Sequence, residues 1–460
     1  MASFTGLIGI VIILAIAFLV SNNKRRLDYR LILSGLALQL VIGFLVLKVD
    51  VVKNGLKNVG EGMKKIEEFG KQGANFVYGG IVVEDYDYIP VNKPSIDTLV
   101  TVNGAKMLVQ VSKDAKGNTT NIGHSTGYSV QHNFSKGGFV FAFNVLSTII
   151  LVCVLVAILY HIGIMQRLVA LISKGVHFIM GASGAETLSN VASAFVGQVE
   201  AQVMIRPYLK TMTKSELLAS MAGSMACIAG GIMVVYINMG IPAEYLIAAS
   251  LMAAPGALVI SKIIYPETEV SQTKGTIKLE IKSPYDNIID AISHGASDGM
   301  KISVNIIAML IGFLALIALI NYFLGLVGLS LDMIFGWVFT PLAWSMGVPA
   351  GDMQAVATLM GKKLSINEFI AYSDLREYVN GVKLVGGENG VQMSKKAIAI
   401  ASFALCGFAN FASVGMQIGG IGELAPERRS DLAKLGMRAL LAGTLASYLS
   451  ATIAGIILSL

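Results

Sequence analysis

Charge is scarce in this chain. Only 14% of its 460 residues are Asp, Glu, Lys or Arg, while 54% are hydrophobic; soluble globular domains carry about a quarter charged residues. The mean hydropathy is +0.68, and apolar runs of about twenty residues recur, the length that crosses a bilayer as a helix. An ordinary soluble protein is excluded, and the alternating pattern of a membrane barrel does not recur. Cysteine is nearly missing: Cys153, Cys227 and Cys406 all lie inside apolar runs, with no CxxC or Cys/His spacing, so neither a zinc site nor a disulfide framework is supported. The histidines (His124, His132, His161, His177 and His294) are scattered without metal-ligand spacing. No Walker loop and no serine nucleophile motif is present, which leaves ATP-driven transport and hydrolysis without support. Proline is rare at 10 residues against 49 glycines, and glycine at that density suits close helix contacts and broken helices. A net charge of +6 is modest; it fits basic loops on the cytoplasmic side and calls for no nucleic acid.

What is present organises into spans. Phe4 to Val20 is apolar with its basic cluster, Lys24-Arg25-Arg26, after the run, the order of a retained first helix rather than a signal peptide. Leu31 to Leu47 returns, and Val51 to Tyr78 spaces Val59, Met63, Ile66, Phe69 and Phe76 like an amphipathic helix lying on the membrane. Ile81 to Lys136 is polar, with strand-like Ile96 to Val102 and Ala105 to Val111 around an Asn103-Gly104 turn signal, and reads as an external insertion. Further spans are expected at Phe139 to Ile162, Ser220 to Met239 (broken at Gly230-Gly231), Glu244 to Tyr265, Val304 to Leu326, Ala397 to Ile418 and Leu435 to Leu458. Surface helices are expected near Met165 to Met180 and Tyr285 to Lys301. Glu186 to Leu209 and roughly Gly336 to Leu375 are too polar to cross twice and read as re-entrant hairpins, the second with Trp337 and Trp344 as interface anchors.

The pattern predicts an all-α polytopic membrane protein of about eight transmembrane helices plus two re-entrant hairpins in inverted repeats, with a small external β-rich insertion. Its divisions fall at 1–80 (first spans and interfacial helix), 81–136 (insertion), 137–185 (scaffold), 186–265 (first repeat), 266–327 (interfacial helix and scaffold span) and 328–460 (second repeat and final span).

Two carboxylates interrupt otherwise apolar hairpins: Glu200, two residues after Gln198, and Glu368, after Asn367. An ionisable side chain at membrane depth faces a partner, a cavity or a substrate. Gln offers donors and an acceptor while ionised Glu only accepts, so Gln198 and Glu200 suit a base edge or sugar hydroxyls; the competing reading pairs Glu200 with Arg206. Asn410 and Ser413, three apart in the second broken span, either hold hydroxyls beside Glu368 or bond helix to helix. Cys227 and Cys406 lie in the polar interruptions, either as small packed residues or lining the site. Two such units in one chain point to a transporter with a site at the bilayer midplane.

Several long motifs resemble the concentrative nucleoside transporter family. They are Gly197-Gln-Val-Glu-Ala201 with Ile205-Arg-Pro-Tyr-Leu209, Met252-Ala-Ala-Pro-Gly-Ala257 with Ser261-Lys262 and Tyr265-Pro-Glu267, Asn287 to Asp298, Ile366-Asn-Glu-Phe-Ile-Ala-Tyr372, and Ala404-Leu-Cys-Gly-Phe-Ala-Asn-Phe-Ala-Ser413. The resemblance covers nearly the whole chain apart from 81–136. It implies a homotrimer in the bacterial cytoplasmic (inner) membrane that imports nucleosides with an inward sodium or proton gradient. Position by position it implies that Gln198 and Glu200 face the nucleobase with Ile232 packed against it, that Glu368, Asn410 and Ser413 face the ribose, and that Phe408 borders the pocket.

Two departures bear on specificity and coupling. The family pattern has Thr between the Gln and the Glu, and this chain has Val199, so base preference does not transfer. At the positions of the family's sodium ligands stand Ser193, Val196, Cys227 and Ile228, where only the serine offers a side-chain oxygen. Sodium is a hard cation that wants oxygen, and a thiol replaces it poorly, so the residues favour proton coupling with no further cofactor. The alternative is an ion-coupled symporter of another small polar solute on the same two-hairpin, elevator-type plan. No nucleophile–base pair supports a membrane enzyme.

Overall fold

The computed structural model describes residues 2–78, 96–102, 105–113, 119–122, 146–274, 285–387 and 390–460. The chain opens with α1 (Ala2–Leu19) and α2 (Tyr29–Lys48), followed by α3 (Asp50–Tyr78). Asp28 starts α2 by accepting the amide of Leu31, satisfying one of the orphan donors at a helix start. Three strands, β1 (Ile96–Val102), β2 (Ala105–Lys113) and β3 (Thr119–Ile122), pair antiparallel in that order, with Val102 opposite Ala105. The Asn103-Gly104 turn itself lies outside the described residues, as do most of 81–136 and the start of the span expected from Phe139.

Helices α4 (Leu146–His161) and α5 (Ile164–Met180) meet at a 76° bend with Gly163 in the left-handed region between them. Two units of one design follow. The first is a helical hairpin, α6 (Gly184–Ser193) and α7 (Glu200–Val203), then a broken helix, α8 (Lys214–Ala226) and α9 (Gly230–Asn238), then the long α10 (Ala243–Ile264). The second is the hairpin α13 (Met353–Ser365) and α14 (Glu368–Val379), the broken helix α15 (Lys395–Leu405) and α16 (Phe411–Leu424), and the long α17 (Arg429–Ile457). Between the units run α11 (Ile288–Gly325) and α12 (Leu331–Ser345). Among the described residues five helices are long and apolar enough to cross a bilayer, or six when α4 and α5 count as one bent span.

Burial separates two roles. α8, α10, most of α15 and the second half of α17 are buried and form the core with the hairpins. In contrast, α11 exposes Ile311, Leu314, Leu319, Tyr322 and Phe323, a face that lipid can cover. α11 lies close against α4. A Cβ on Gly295 would stand 2.8 Å from the carbonyl oxygen of Cys153, and one on Gly299 would stand 2.6 Å from the Cα of Ile150. Small residues four apart are how membrane helices bring their backbones together.

The base of the first hairpin is held by charge. Ser183 and Glu186 form a capping box on α6, and Thr213 and Glu216 form another on α8. Lys262 of α10 reaches between them: its Nζ lies 2.7 Å from Glu186 Oε2 and donates to Ser215 Oγ at 2.9 Å and Glu267 Oε2 at 3.4 Å. Lys262 is 4% exposed and Glu186 1%. Higher in the hairpin, Ser189 and Ser220 share a 2.6 Å hydrogen bond, Ser193 and Ser224 one of 3.0 Å, and Gln202 donates to both Ser189 and Ser224. These hydroxyls tie α6 and α7 to α8 where water is excluded.

Three boundaries differ from the sequence reading. The first broken helix parts at Cys227–Ala229, and Gly230-Gly231 open its second half instead of making the break. The interfacial segment from Tyr285 and the span from Val304 are one helix of 38 residues, about 57 Å long at 1.5 Å per residue; nothing in 288–325 stops helical hydrogen bonding, so polarity alone misplaced the boundary. Gly336 to Ser345, with Trp337 and Trp344, belongs to the separate helix α12, and the second hairpin begins only at Met353.

Breaking the Lys262 pair leaves an uncompensated buried carboxylate, which typically costs about 3–5 kcal/mol. Lys262→Met is therefore expected to lower the thermal midpoint of the detergent-solubilised protein by many degrees, read by size-exclusion fluorescence after heating. A midpoint equal to the parent's would contradict the anchoring role.

Candidate functional site

The two helix breaks touch. Gly407, in the break between α15 and α16, has φ +95° and lies against the end of α8: a Cβ there would sit 2.4 Å from the carbonyl oxygen of Ala226. Ser250 of α10 meets both thiols, its Oγ 3.7 Å from Cys406 Sγ and its carbonyl oxygen 3.9 Å from Cys227 Sγ. Unwound backbone at membrane depth survives only when it lines protein or a cavity, and here each break packs on the other.

Both hairpin tips arrive at this crossing. The first pins itself to α9 through the N–H of Gly230, which donates to the carbonyl of Phe195 at 3.3 Å. Asn367 caps α14 by accepting the amide of Ile370 at 3.0 Å, which places Glu368 in the first turn of that helix. A helix amino end favours a carboxylate. Glu368 is 6% exposed; its Oε2 accepts from Asn410 Nδ2 at 3.1 Å and its Oε1 from the Tyr236 hydroxyl at 3.3 Å. Tyr236 stacks on Tyr372 with ring centres 4.3 Å apart. Asn410 also caps α16, its Oδ1 accepting the amide of Ser413 at 2.9 Å. Ser413 Oγ accepts from Gln198 Nε2 at 3.3 Å, and Gln198 Oε1 accepts from Gln417 Nε2 at 3.3 Å. One hydrogen-bonded chain thus joins the tip of the first hairpin to the second broken helix.

A cavity of about 470 Å³ opens beside this chain, within the usual size of a small-molecule site. Gln198, Glu200, Ile232, Glu368, Phe408, Asn410 and Ser413 all line it, seven residues from two hairpin tips and two broken helices. Glu200 is exposed to the cavity and makes no ion pair with Arg206. Cys153, Tyr160, Asp298 and Asn305 from α4 and α11 also line it. The polar groups are few and convergent, and the rest of the lining is apolar, which fits a ligand with one flat face and several hydroxyl or amide groups. Of the four positions considered for a cation, Val196 lines the cavity while Ser193, Cys227 and Ile228 lie behind it. Ser193 Oγ donates to the carbonyl of Ser189 at 2.8 Å, and Cys227 Sγ faces the carbonyl of Asn190 at 4.0 Å.

Several residues that line the cavity or bond to its lining escaped the sequence reading. Tyr236 sits four residues after Ile232 in an apolar run, so a helical-face count from Ile232 would have found it. Gln417 continues the spacing Asn410, Ser413, Gln417 along one face of α16, and Asp298 and Asn305 are seven apart on α11. Each carried a signal only once the helix register was fixed.

The chain matches family models along most of its length. "Na+ dependent nucleoside transporter N-terminus" matches residues 8–81, "Nucleoside recognition" matches 142–243 and "Na+ dependent nucleoside transporter C-terminus" matches 245–455. A Haemophilus influenzae protein known only as an uncharacterized transporter is 37% identical over 100% of this chain and 99% of its own length. The nucleoside permease NupC of Helicobacter pylori is 35% identical over 100% and 99%. The solved structure of CNTnw in an inward-facing substrate-bound state superimposes with a TM-score of 0.83 at 37% identity, covering 100% of this chain and 98% of that one.

Because the crossing depends on a left-handed residue without a side chain, Gly407→Ala meets both backbone strain of about 1–3 kcal/mol and a clash with a carbonyl. It is expected to abolish ligand binding and lower the thermal midpoint. Parent-like behaviour in both assays would show that the breaks need not touch.

Proposed function

The chain belongs to the concentrative nucleoside transporter family, a family of transporters rather than enzymes, and from that premise we propose that it imports nucleosides as a secondary active symporter. The observation that carries the proposal is the convergence of Glu368, Asn410, Gln198 and Ser413 on one cavity. Glu368 accepts hydrogen bonds from a pair of vicinal ribose hydroxyls while Asn410 and Ser413 complete the sugar's contacts. Gln198 and Glu200 meet the edge of the base, Ile232 packs on its face and Phe408 closes the border. A buried carboxylate built for a hydroxyl pair rejects a solute that lacks them, because it is then left unsatisfied.

In this reading the hairpins and broken helices move together across a scaffold of α4 and α11, carrying the site between the two sides. The eight-span plan, the inverted repeats, the divisions at 1–80, 81–136, 137–185, 186–265, 266–327 and 328–460, an outward-facing insertion and a homotrimer in the cytoplasmic membrane belong to the same proposal. The burial of α8 and of the second half of α17, beside the apolar exposure of α11, supports a moving core against a lipid-facing wall.

The driving ion is an inward-moving cation. The matched family is described as Na+ dependent, and sodium would have to use Ser193, Val196, Cys227 and Ile228. In that set Ser193 is already engaged with Ser189 and Ser224, and the thiol of Cys227 is a soft donor. Those two facts favour the proton as the coupling ion in this chain.

Glu368→Gln is expected to abolish uridine uptake in proteoliposomes while the variant elutes as the same oligomer as the parent; near-normal uptake would remove the ribose assignment. In liposomes buffered with potassium, a pH gradient acid outside is expected to drive uridine accumulation. Accumulation driven by sodium at symmetric pH, with none driven by the pH gradient, would reverse the choice of ion.

A further inference from the structure

One fully buried cation has no part in the contacts above. Lys363, two residues before the end of α13, is 0% exposed. Among the described residues no carboxylate lies within ion-pair distance of its ammonium, although Lys262 and Lys362 both have such partners. Lys363 Nζ instead donates to the carbonyl oxygens of Ala404 at 2.9 Å and Cys406 at 2.8 Å, with the Tyr448 ring centre 5.9 Å away. Ser447 adds a second donor to the Cys406 carbonyl at 2.7 Å.

Those carbonyls close α15 at the break. The last carbonyls of a helix lack intrahelical donors and carry the negative end of the helix dipole, where a cation is favoured. A free ammonium in such a place would be too costly to keep without that compensation. The equivalent end of α8, in the other unit, is closed differently. Its Cys227 N–H returns to the Gly223 carbonyl, Gly407 packs on Ala226, and no Lys or Arg side chain among the described residues donates to its carbonyls. The two breaks are therefore electrically unlike: one carries its own tethered positive charge.

That charge sits behind the sugar side of the cavity. Lys363 is five residues before Glu368 on the same hairpin, and the break it holds presents Phe408 and Asn410. Asn410, which follows that break, donates to Glu368 at 3.1 Å. We infer that Lys363 is a positioning residue for hydroxyl recognition: a built-in cation that fixes the carbonyl end of α15 and balances the negative charge of Glu368, so that this half of the site needs no mobile cation to face a neutral sugar. The inference rests on the nucleoside reading of the cavity and adds a residue that touches no solute.

The test separates charge from hydrogen bonding. Lys363→Gln keeps donors for the two carbonyls and removes the charge; Lys363→Ala leaves room for propylammonium, the missing part of the side chain, or for neutral propanol. Equilibrium binding of uridine and of 2′,3′-dideoxyuridine is measured on monodisperse detergent-solubilised protein. The parent is expected to prefer uridine, and both variants to lose that preference by about tenfold or more, the scale of a lost partner to a buried charge, with dideoxyuridine binding little changed. Propylammonium is expected to restore the preference to Lys363→Ala, and propanol not. A parent-like preference in Lys363→Gln, or equal rescue by propanol, overturns the inference. A parent that binds neither compound would instead sink the nucleoside reading itself. If Lys363→Ala cannot be obtained folded, Lys363→Gln alone decides.

Discussion

Everything in this molecule is arranged around a pair of helices that stop hydrogen bonding halfway. A helix interrupted inside a bilayer exposes amides and carbonyls that have no water to satisfy them, and the cost has to be met by protein. Here the two breaks meet each other, Gly407 against the carbonyl of Ala226, with Ser250 in reach of both Cys227 and Cys406. The constraint is geometric and tight, because only a glycine at a positive φ lets one backbone come that close to another. Once the crossing exists, the residues that follow each break and both hairpin tips line one cavity.

The hairpins supply what the breaks lack. Asn367 and Asn410 each cap a helix at the cavity's edge, and Asn410 turns its amide to Glu368 as it does so. Structure and recognition use the same side chain: the asparagine that starts α16 also holds the carboxylate. The first hairpin is anchored far from the cavity by the Lys262–Glu186 pair and along its length by a ladder of serine hydroxyls. Its tip can carry Gln198 and Glu200 with little private support because its base is fixed.

Much of this was legible in the residues, and the gaps have physical causes. Glu200 and Glu368 announce themselves because carboxylates are so rarely tolerated in apolar surroundings. Helix boundaries were harder. The long helix 288–325 begins in a polar stretch, and polarity reports surroundings rather than hydrogen bonding, so a single element read as two. The break at Cys227–Ala229 falls in residues with no conformational signature, while the glycines beside it, which look like the cause, merely begin the next half-helix. Tyr236 was hidden because an apolar run contains many aromatic residues and only its register turns this one toward Glu368. Lys363 was unreadable for the opposite reason: a lysine beside another lysine looks like a solvated surface, and nothing local says that carbonyls from a segment forty residues on will enclose it.

The central claim is that both halves of the chain grip one nucleoside, sugar against Glu368 and Asn410, base toward Gln198 and Glu200. The most direct measurement is an experimental structure of the purified protein in lipid with saturating uridine. The account predicts density for one nucleoside bridging the two hairpin tips, with its ribose hydroxyls within hydrogen-bond reach of Glu368. A nucleoside bound elsewhere, or seated here with its base against Glu368 and its sugar toward Gln198, would contradict it.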